Sequence, residues 1–184
     1  MNAIILTGSI ATGKSTVANL LRLYGFSIID ADTIAHEQLQ KHAHEIQQIF
    51  GSADRKKLRE IVFNNKEKRQ QLEQFLHPKI KTEILAQAHE LEKYSVTYFI
   101  DIPLYFEGGN YNEFEKVAVV YTPKDIQLQR LIKRDKITPS QAQQIIDLQM
   151  DIDQKAQQAT YVIDNSKDLA HLQKEVENFI NTIK

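Results

Sequence analysis

The run Gly8-Ser9-Ile10-Ala11-Thr12-Gly13-Lys14-Ser15 sets two glycines, a lysine and a hydroxyl at the spacing G-x-x-x-x-G-K-[ST]. Those residue types at that spacing suit the cradling of a polyphosphate. Glycines let the backbone turn so that successive N–H groups face phosphate oxygens. A helix that begins at the lysine adds the positive end of its dipole. Lys14 would place a point charge on the β- and γ-phosphates of ATP, and the Ser15 hydroxyl could coordinate Mg²⁺. The alternative is a chance match in a turn before a helix. A strand-like run before the motif and a helix-like run after it argue for the phosphate site.

Three carboxylates stand where chemistry could use them. Asp30 and Asp32 follow the apolar run Phe26 to Ile29. A carboxylate at that strand end could take the proton of an attacking hydroxyl and help hold the metal. Asp32 also precedes Thr33-Ile34-Ala35, where it could cap a helix, and position alone leaves both readings open. Asp101 closes the run Val96 to Ile100 and resembles a Walker B aspartate, which contacts Mg²⁺ directly or through water. Arg130 and Arg134 are one helical turn apart and share a face. Two guanidinium groups so placed suit a lid over a polyphosphate, though a solvated, ion-paired face has the same spacing. His77 and Arg55 are isolated, and a lone histidine or arginine is usually structural or solvated.

The elements that must hold these residues are legible in outline. Ala3 to Thr7 is apolar and rich in β-branched residues, as a buried parallel strand is. Val17, Leu20, Leu21 and Tyr24 then recur at helical spacing, and Gly25 ends that helix. With Phe26 to Ile29 as the next strand, the chain opens on a βαβ unit. Residues 33–94 read as helical, interrupted at Gly51 to Asp54, with Pro78 starting or kinking a helix. Val96 to Ile100, Val117 to Tyr121 and Tyr161 to Ile163 are further strands. Helices are expected at Gln127 to Lys133, from Pro139 onward, and over the closing stretch carrying Leu172, Val176, Phe179 and Ile180. The alternation predicts an α/β fold, one domain over 1–184 with a five-stranded parallel sheet flanked by helices. Two stretches break it, a helical insertion at about 33–94 and a lid at about 130–158.

Composition narrows the class. The 184 residues carry a net charge of −1 and no cysteine, with 42% hydrophobic and 26% charged residues. That excludes a disulfide framework and a thiolate metal site, and no global basic field points to nucleic acid or a membrane surface. The apolar N-terminal run is too short for a signal peptide, and no stretch is long enough to span a bilayer. We expect a soluble cytoplasmic protein with a small-molecule substrate, no nucleic acid, no membrane and no obligate protein partner. Neither an N-K-x-D nor a D-x-x-G run follows the phosphate loop, which argues against a guanine-nucleotide switch.

Nearly end to end, the chain resembles the dephospho-CoA kinase family. The resemblance rests on Thr7 to Thr16, on Ile29-Asp30-Ala31-Asp32-Thr33-Ile34-Ala35-His36 and on Leu76-His77-Pro78. It continues through Asp101-Ile102-Pro103-Leu104-Tyr105-Phe106-Glu107, Gln129 to Asp135, Gln149 and Val162-Ile163-Asp164-Asn165. It implies a P-loop kinase that transfers the ATP γ-phosphoryl group to the ribose 3′-hydroxyl of dephospho-CoA, with Mg²⁺. Carried onto this sequence, it implies Asp32 as catalytic base, with Gly8 and Ala11, Thr12, Gly13, Lys14, Ser15 and Thr16 as the ATP loop. It further implies Arg55 and His77 as substrate contacts, Arg130 and Arg134 in the lid, and Asn165 on the adenine side. A different small-molecule or nucleoside monophosphate kinase on the same core is the rival. Two departures stand out. Ser9 and Ala11 occupy positions that are usually glycine in the family, implying that both avoid positive φ. The segment 50–55 is also shorter than is usual there.

Overall fold

The structure is a computed structural model describing residues 1–63, 65–108 and 111–183. It forms two compact units, Met1–Ile29 with Tyr94–Lys184, and Asp30–Lys93. In chain order the elements begin β1 (Ala3–Gly8), α1 (Lys14–Leu23), β2 (Ile28–Asp30), α2 (Ala31–Lys41), α3 (Ala43–Phe50), α4 (Arg55–Phe63) and α5 (Lys66–Glu92). They continue β3 (Tyr98–Asp101), α6 (Tyr105–Gly108), β4 (Lys116–Tyr121), α7 (Lys124–Asp135), α8 (Pro139–Asp147), α9 (Ile152–Gln158), β5 (Tyr161–Asp164) and α10 (Leu169–Ile183).

The first unit is built on a five-stranded parallel sheet in the order β2-β3-β1-β4-β5. Every residue of β1 is buried, as a central strand covered on both faces requires. The register brings the carboxyl ends together: Leu6 lies opposite Asp101, Gly8 opposite Val120, and Tyr121 opposite Asp164. Ligands of open α/β sheets bind at that edge. Below it, Ile4, Leu6, Val17, Leu21, Phe99, Val120, Val176 and Phe179 form the core. The Phe99 ring meets Phe26 edge-on at 5.3 Å and Phe179 at 5.9 Å.

Helix α1 ends in a Schellman motif. Gly25, at φ 88°, donates to Arg22 and Phe26 donates to Leu21, both at about 3 Å. Phe26 is spent on that cap, so β2 starts at Ile28, two residues later than the apolar run predicts. β3 likewise starts at Tyr98 and not Val96, because Ser95 turns the chain at φ 52° and Val96 is half exposed.

Helices α7 and α8 pack through Leu131, Ala142 and Ile146, and Ile10 and Ala11 of the phosphate loop join the cluster. α8 starts with a full capping box between Thr138 and Gln141, with Pro139 in its first turn. α9 is capped by Asp151, which accepts from Asp153 and Gln154.

The second unit is helical. Its longest helix, α5, runs for 27 residues with Pro78 inside it, so that proline neither starts nor ends a helix. The apolar face Leu76, Ile80, Ile84 and Ala88 is buried, and this packing outweighs the one hydrogen bond a proline removes. The short segment 50–55 is a closed turn. Gly51, at φ 79°, ends α3, and the Gln47 side chain bridges the turn by donating to Gly51 and accepting from Ala53. Asp54 then accepts from Lys57 and opens α4.

Candidate active site

The loop between β1 and α1 is fixed from several sides. Gly13 sits at φ 87°, and a Cβ there would fall 2.2 Å from Asn165 Nδ2. A Cβ on Gly8 would meet Thr12 Oγ1 at 2.7 Å and the Val120 carbonyl at 3.1 Å. Both glycines are therefore required by space, and Gly13 by backbone conformation as well. Ala11 contradicts the sequence expectation, since its φ is 61°. Its methyl packs with the α7–α8 cluster, a contact that offsets the cost of the left-handed conformation. For Ser9 the expectation stands, as its φ is not positive.

Buried polar side chains tie down the loop carbonyls. Thr12 Oγ1 donates to Ser9, and Asn165 Nδ2 donates to the Thr12 carbonyl at 2.8 Å. Thr122 Oγ1 lies 3.1 Å from the carbonyls of both Thr12 and Asn165. Gln127 Nε2 donates to the Thr122 carbonyl at 2.6 Å. Gln149 Oε1 accepts from the Ile10 N–H at 2.8 Å. Lys155, fully buried, donates to the Gly8 carbonyl at 3.3 Å and pairs with Glu107 at 2.7 Å. Nothing in the spacing of Thr122, Gln127 or Lys155 marks them in the sequence. They reach the loop only because the strand register brings the ends of β1, β4 and β5 side by side.

Lys14 and Asp101 are brought together, the lysine ammonium pairing with Asp101 Oδ1. Their side chains are 17% and 8% exposed, so the pair is sheltered yet reachable. Ser15 and Thr16 follow Lys14 in the first turn of α1 and are exposed. Leu6 lies opposite Asp101, two residues before the loop starts at Gly8, and this register sets the strand-end carboxylate beside the loop lysine.

On α7, Arg130 and Arg134 part company. Arg130 is half-buried and reaches Thr122 Oγ1 and the Lys167 carbonyl, each at 3.3 Å. Arg134 is exposed and forks onto Asp135 at 2.7 and 2.9 Å. That bidentate bond raises the Arg134 pKa and holds Asp135 below the usual carboxylate range. Farther along, the Lys124 ammonium, 2.6 Å away, does the same to Asp151. Behind the loop, burial alone would raise the Asp164 carboxyl. Hydrogen bonds from His171 and Ser166 outweigh it, and the group lies below its ordinary value.

In the second unit, Asp30 caps α2 by accepting from Thr33 at 3.0 Å. Asp32 is therefore not the cap. It lies in the first turn, exposed, and no hydrogen bond among the described residues engages its carboxylate. Arg55 opens α4 and His77 lies within α5, both exposed.

Comparison with known proteins agrees with this geometry. The dephospho-CoA kinase family model matches residues 2–171. Dephospho-CoA kinase of Helicobacter pylori is 46% identical, over 99% of this chain and 97% of its own. The solved dephospho-CoA kinase of Campylobacter jejuni superposes with a TM-score of 0.82 at 41% identity, covering 99% of this chain and 96% of that one. Shikimate kinase from Bacteroides thetaiotaomicron, at 18% identity and a TM-score of 0.56 over 98% and 97% of the two chains, shares the fold alone. A strand-bound phosphate loop, its lysine paired with a strand-end aspartate, and full-length likeness at these identities together place the chain in the dephospho-CoA kinase family.

Proposed function

We propose that the loop Gly8 to Thr16 holds ATP, that Asp32 is the general base, and that Arg55 and His77 contact the acceptor. The activity these residues serve is ATP-dependent phosphorylation of dephospho-CoA, the final step of coenzyme A synthesis. The transfer goes to the ribose 3′-hydroxyl. The observation that carries the reading is the cradle itself, with Gly13 at φ 87° and Lys14 poised on Asp101 between β1 and α1.

The donor set fits magnesium. Ser15 and Asp101 offer hard oxygen ligands, and among the described residues no group of three or more His, Cys, Asp or Glu converges. Such a composition suits an ion that keeps water and takes phosphate oxygens for its other ligands. Held by Ser15 and Asp101, Mg²⁺ would supply positive charge that offsets the charge of the polyphosphate.

The protein's own residues do the rest. Lys14 exchanges Asp101 for phosphate oxygens and stabilises charge on the transferring group. Asp32 accepts the proton of the acceptor hydroxyl, a role open to a carboxylate that no amide among the described residues occupies. Arg130 and Arg134 belong to a lid, residues 130–158, that closes over the polyphosphate and excludes water. Asn165 serves the adenine side of the nucleotide and, through Thr12, steadies the loop. Residues 33–94 form the substrate-binding insertion of a single domain, 1–184. The protein works in the cytoplasm on this small-molecule substrate, with no nucleic acid, membrane or obligate protein partner.

Asp32→Asn tests the base. We expect kcat to fall by about 10²–10⁴, with ATP affinity kept. Near-normal turnover would remove Asp32 from the role.

A further inference from the structure

Lys155 is the one fully buried lysine among the described residues, and the mechanism above gives it no part. Its ammonium has two partners among the described residues. One is Glu107 Oε1 at 2.7 Å, on a side chain 23% exposed, and the other is the Gly8 carbonyl at 3.3 Å. Glu107 Oε1 also accepts from the Met150 N–H at 3.0 Å. The residue before Met150 is Gln149, whose side chain accepts from the Ile10 N–H. The segment 149–155 thus grips the first arm of the phosphate loop twice, on the Gly8 carbonyl and on the Ile10 amide. The segment is itself anchored, by Lys124 on Asp151 and by Tyr121 Oη on Asp153 at 2.8 Å.

Stability is a poor reason for such an arrangement. An ion pair with one charge fully buried contributes little over apolar residues of similar volume, because that charge gives up its water. What an apolar residue could not do is hold a carbonyl. The Gly8 carbonyl and the Ser9 N–H belong to one planar trans peptide and point opposite ways. An ammonium on that carbonyl fixes the plane and strengthens the N–H as a donor. Gln149 removes the Ile10 N–H from competition and fixes the next peptide, between Ser9 and Ile10.

We propose that Lys155, seated by Glu107 and aided by Gln149, is a positioning residue for nucleotide binding. It sets the phosphate loop in its binding shape and couples that shape to the segment that follows α8. The inference rests on the loop being the nucleotide site, which Lys14→Met tests separately.

The test measures ADP affinity by calorimetry, KM for each substrate, and thermal midpoint. The variants are Lys155→Met, Lys155→Met with Glu107→Leu, and Gln149→Met. Lys155→Met should weaken ADP and raise the ATP KM by about 10- to 100-fold, with the dephospho-CoA KM unchanged. It should also lower the thermal midpoint, because the partly shielded Glu107 carboxylate loses its cationic partner. The double variant removes both charges. Its thermal midpoint should return while ADP affinity stays low, a split that a merely structural pair would not give. Gln149→Met leaves every charge in place and should weaken ADP by about 3- to 10-fold in a normally stable protein. Wild-type ADP affinity in whichever of these variants folds overturns the proposal. Loss of ADP binding in Lys14→Met, alongside that result, would leave the loop as the nucleotide site and Lys155 as structural only.

Discussion

The phosphate loop and the helical unit Asp30–Lys93 hold their polar side chains in opposite ways. Around the loop, Thr12, Thr122, Gln127, Lys155 and Asn165 are buried, and each has a backbone carbonyl for a partner. In the helical unit Asp32, Arg55 and His77 lie exposed on helix surfaces. Polar groups in the low-dielectric interior near the loop are costly unless satisfied, so the bonds these five make to carbonyls fix one backbone shape, while Ser9 Oγ and Gln127 Oε1 stay buried without a partner among the described residues. Side chains on exposed helix faces keep rotamer freedom until a ligand orders them. The contrast suits the two tasks we propose for these residues. A polyphosphate needs amides aimed in advance, whereas an acceptor can be gathered by long side chains that order when it arrives.

The sharpest break of this contrast is Lys14→Met. The account expects kcat to fall by about 10³ or more, with little change in thermal midpoint, because Lys14 acts on charge and not on packing. Gly13→Ala follows, attacking the shape of the loop. The substitution forces a Cβ to within 2.2 Å of Asn165 and keeps a positive φ. Nucleotide affinity should drop by about tenfold or more, with a lowered thermal midpoint. Adding Asn165→Ala should recover only the part due to the clash.

Arg55→Ala and His77→Ala probe the other region. Each should raise the dephospho-CoA KM by about tenfold and leave ATP KM and stability unchanged. A loss of stability there would erase the contrast. Asp164 gives a smaller effect. Its folded pKa lies below its unfolded value, so its stabilisation is present above about pH 4 and is lost as pH falls through the folded value. The thermal midpoints of wild type and Asp164→Asn should differ near neutrality and converge in acid. Smallest of all is Ala11→Gly. Relief of the left-handed conformation, about 1 kcal/mol, nearly cancels the lost methyl packing, about 0.8 kcal/mol.

Much of the core is legible in the sequence because its signals are local. A buried β-branched run, a glycine-lysine motif and a helical period stand side by side from Ala3 to Tyr24, and the structure puts strand, loop and helix there. Asp101 is legible as a strand end for the same reason. Where local signals compete with tertiary ones, the reading slips. Phe26 looks like strand and is spent on a helix cap. Pro78 looks like a helix start or a kink, and the buried face of α5 carries the helix through it, so it is not a start. Ala11 looks unable to turn left, and packing against α7 and α8 lets it. Asp32 reads equally as a helix cap or a reactive carboxylate, and only the structure shows Asp30 in the cap position. Lys155 and Thr122 have no signal at all, since what matters in them is a distant carbonyl.

The most direct test of the whole account is the choice of acceptor. Purified protein with ATP and Mg²⁺ is offered dephospho-CoA, AMP and shikimate separately, and ADP release is followed alongside the position of the new phosphate. The account predicts turnover with dephospho-CoA far above the others, with the phosphate on the ribose 3′-oxygen. Preference for AMP or shikimate, or phosphate at another oxygen, would contradict it.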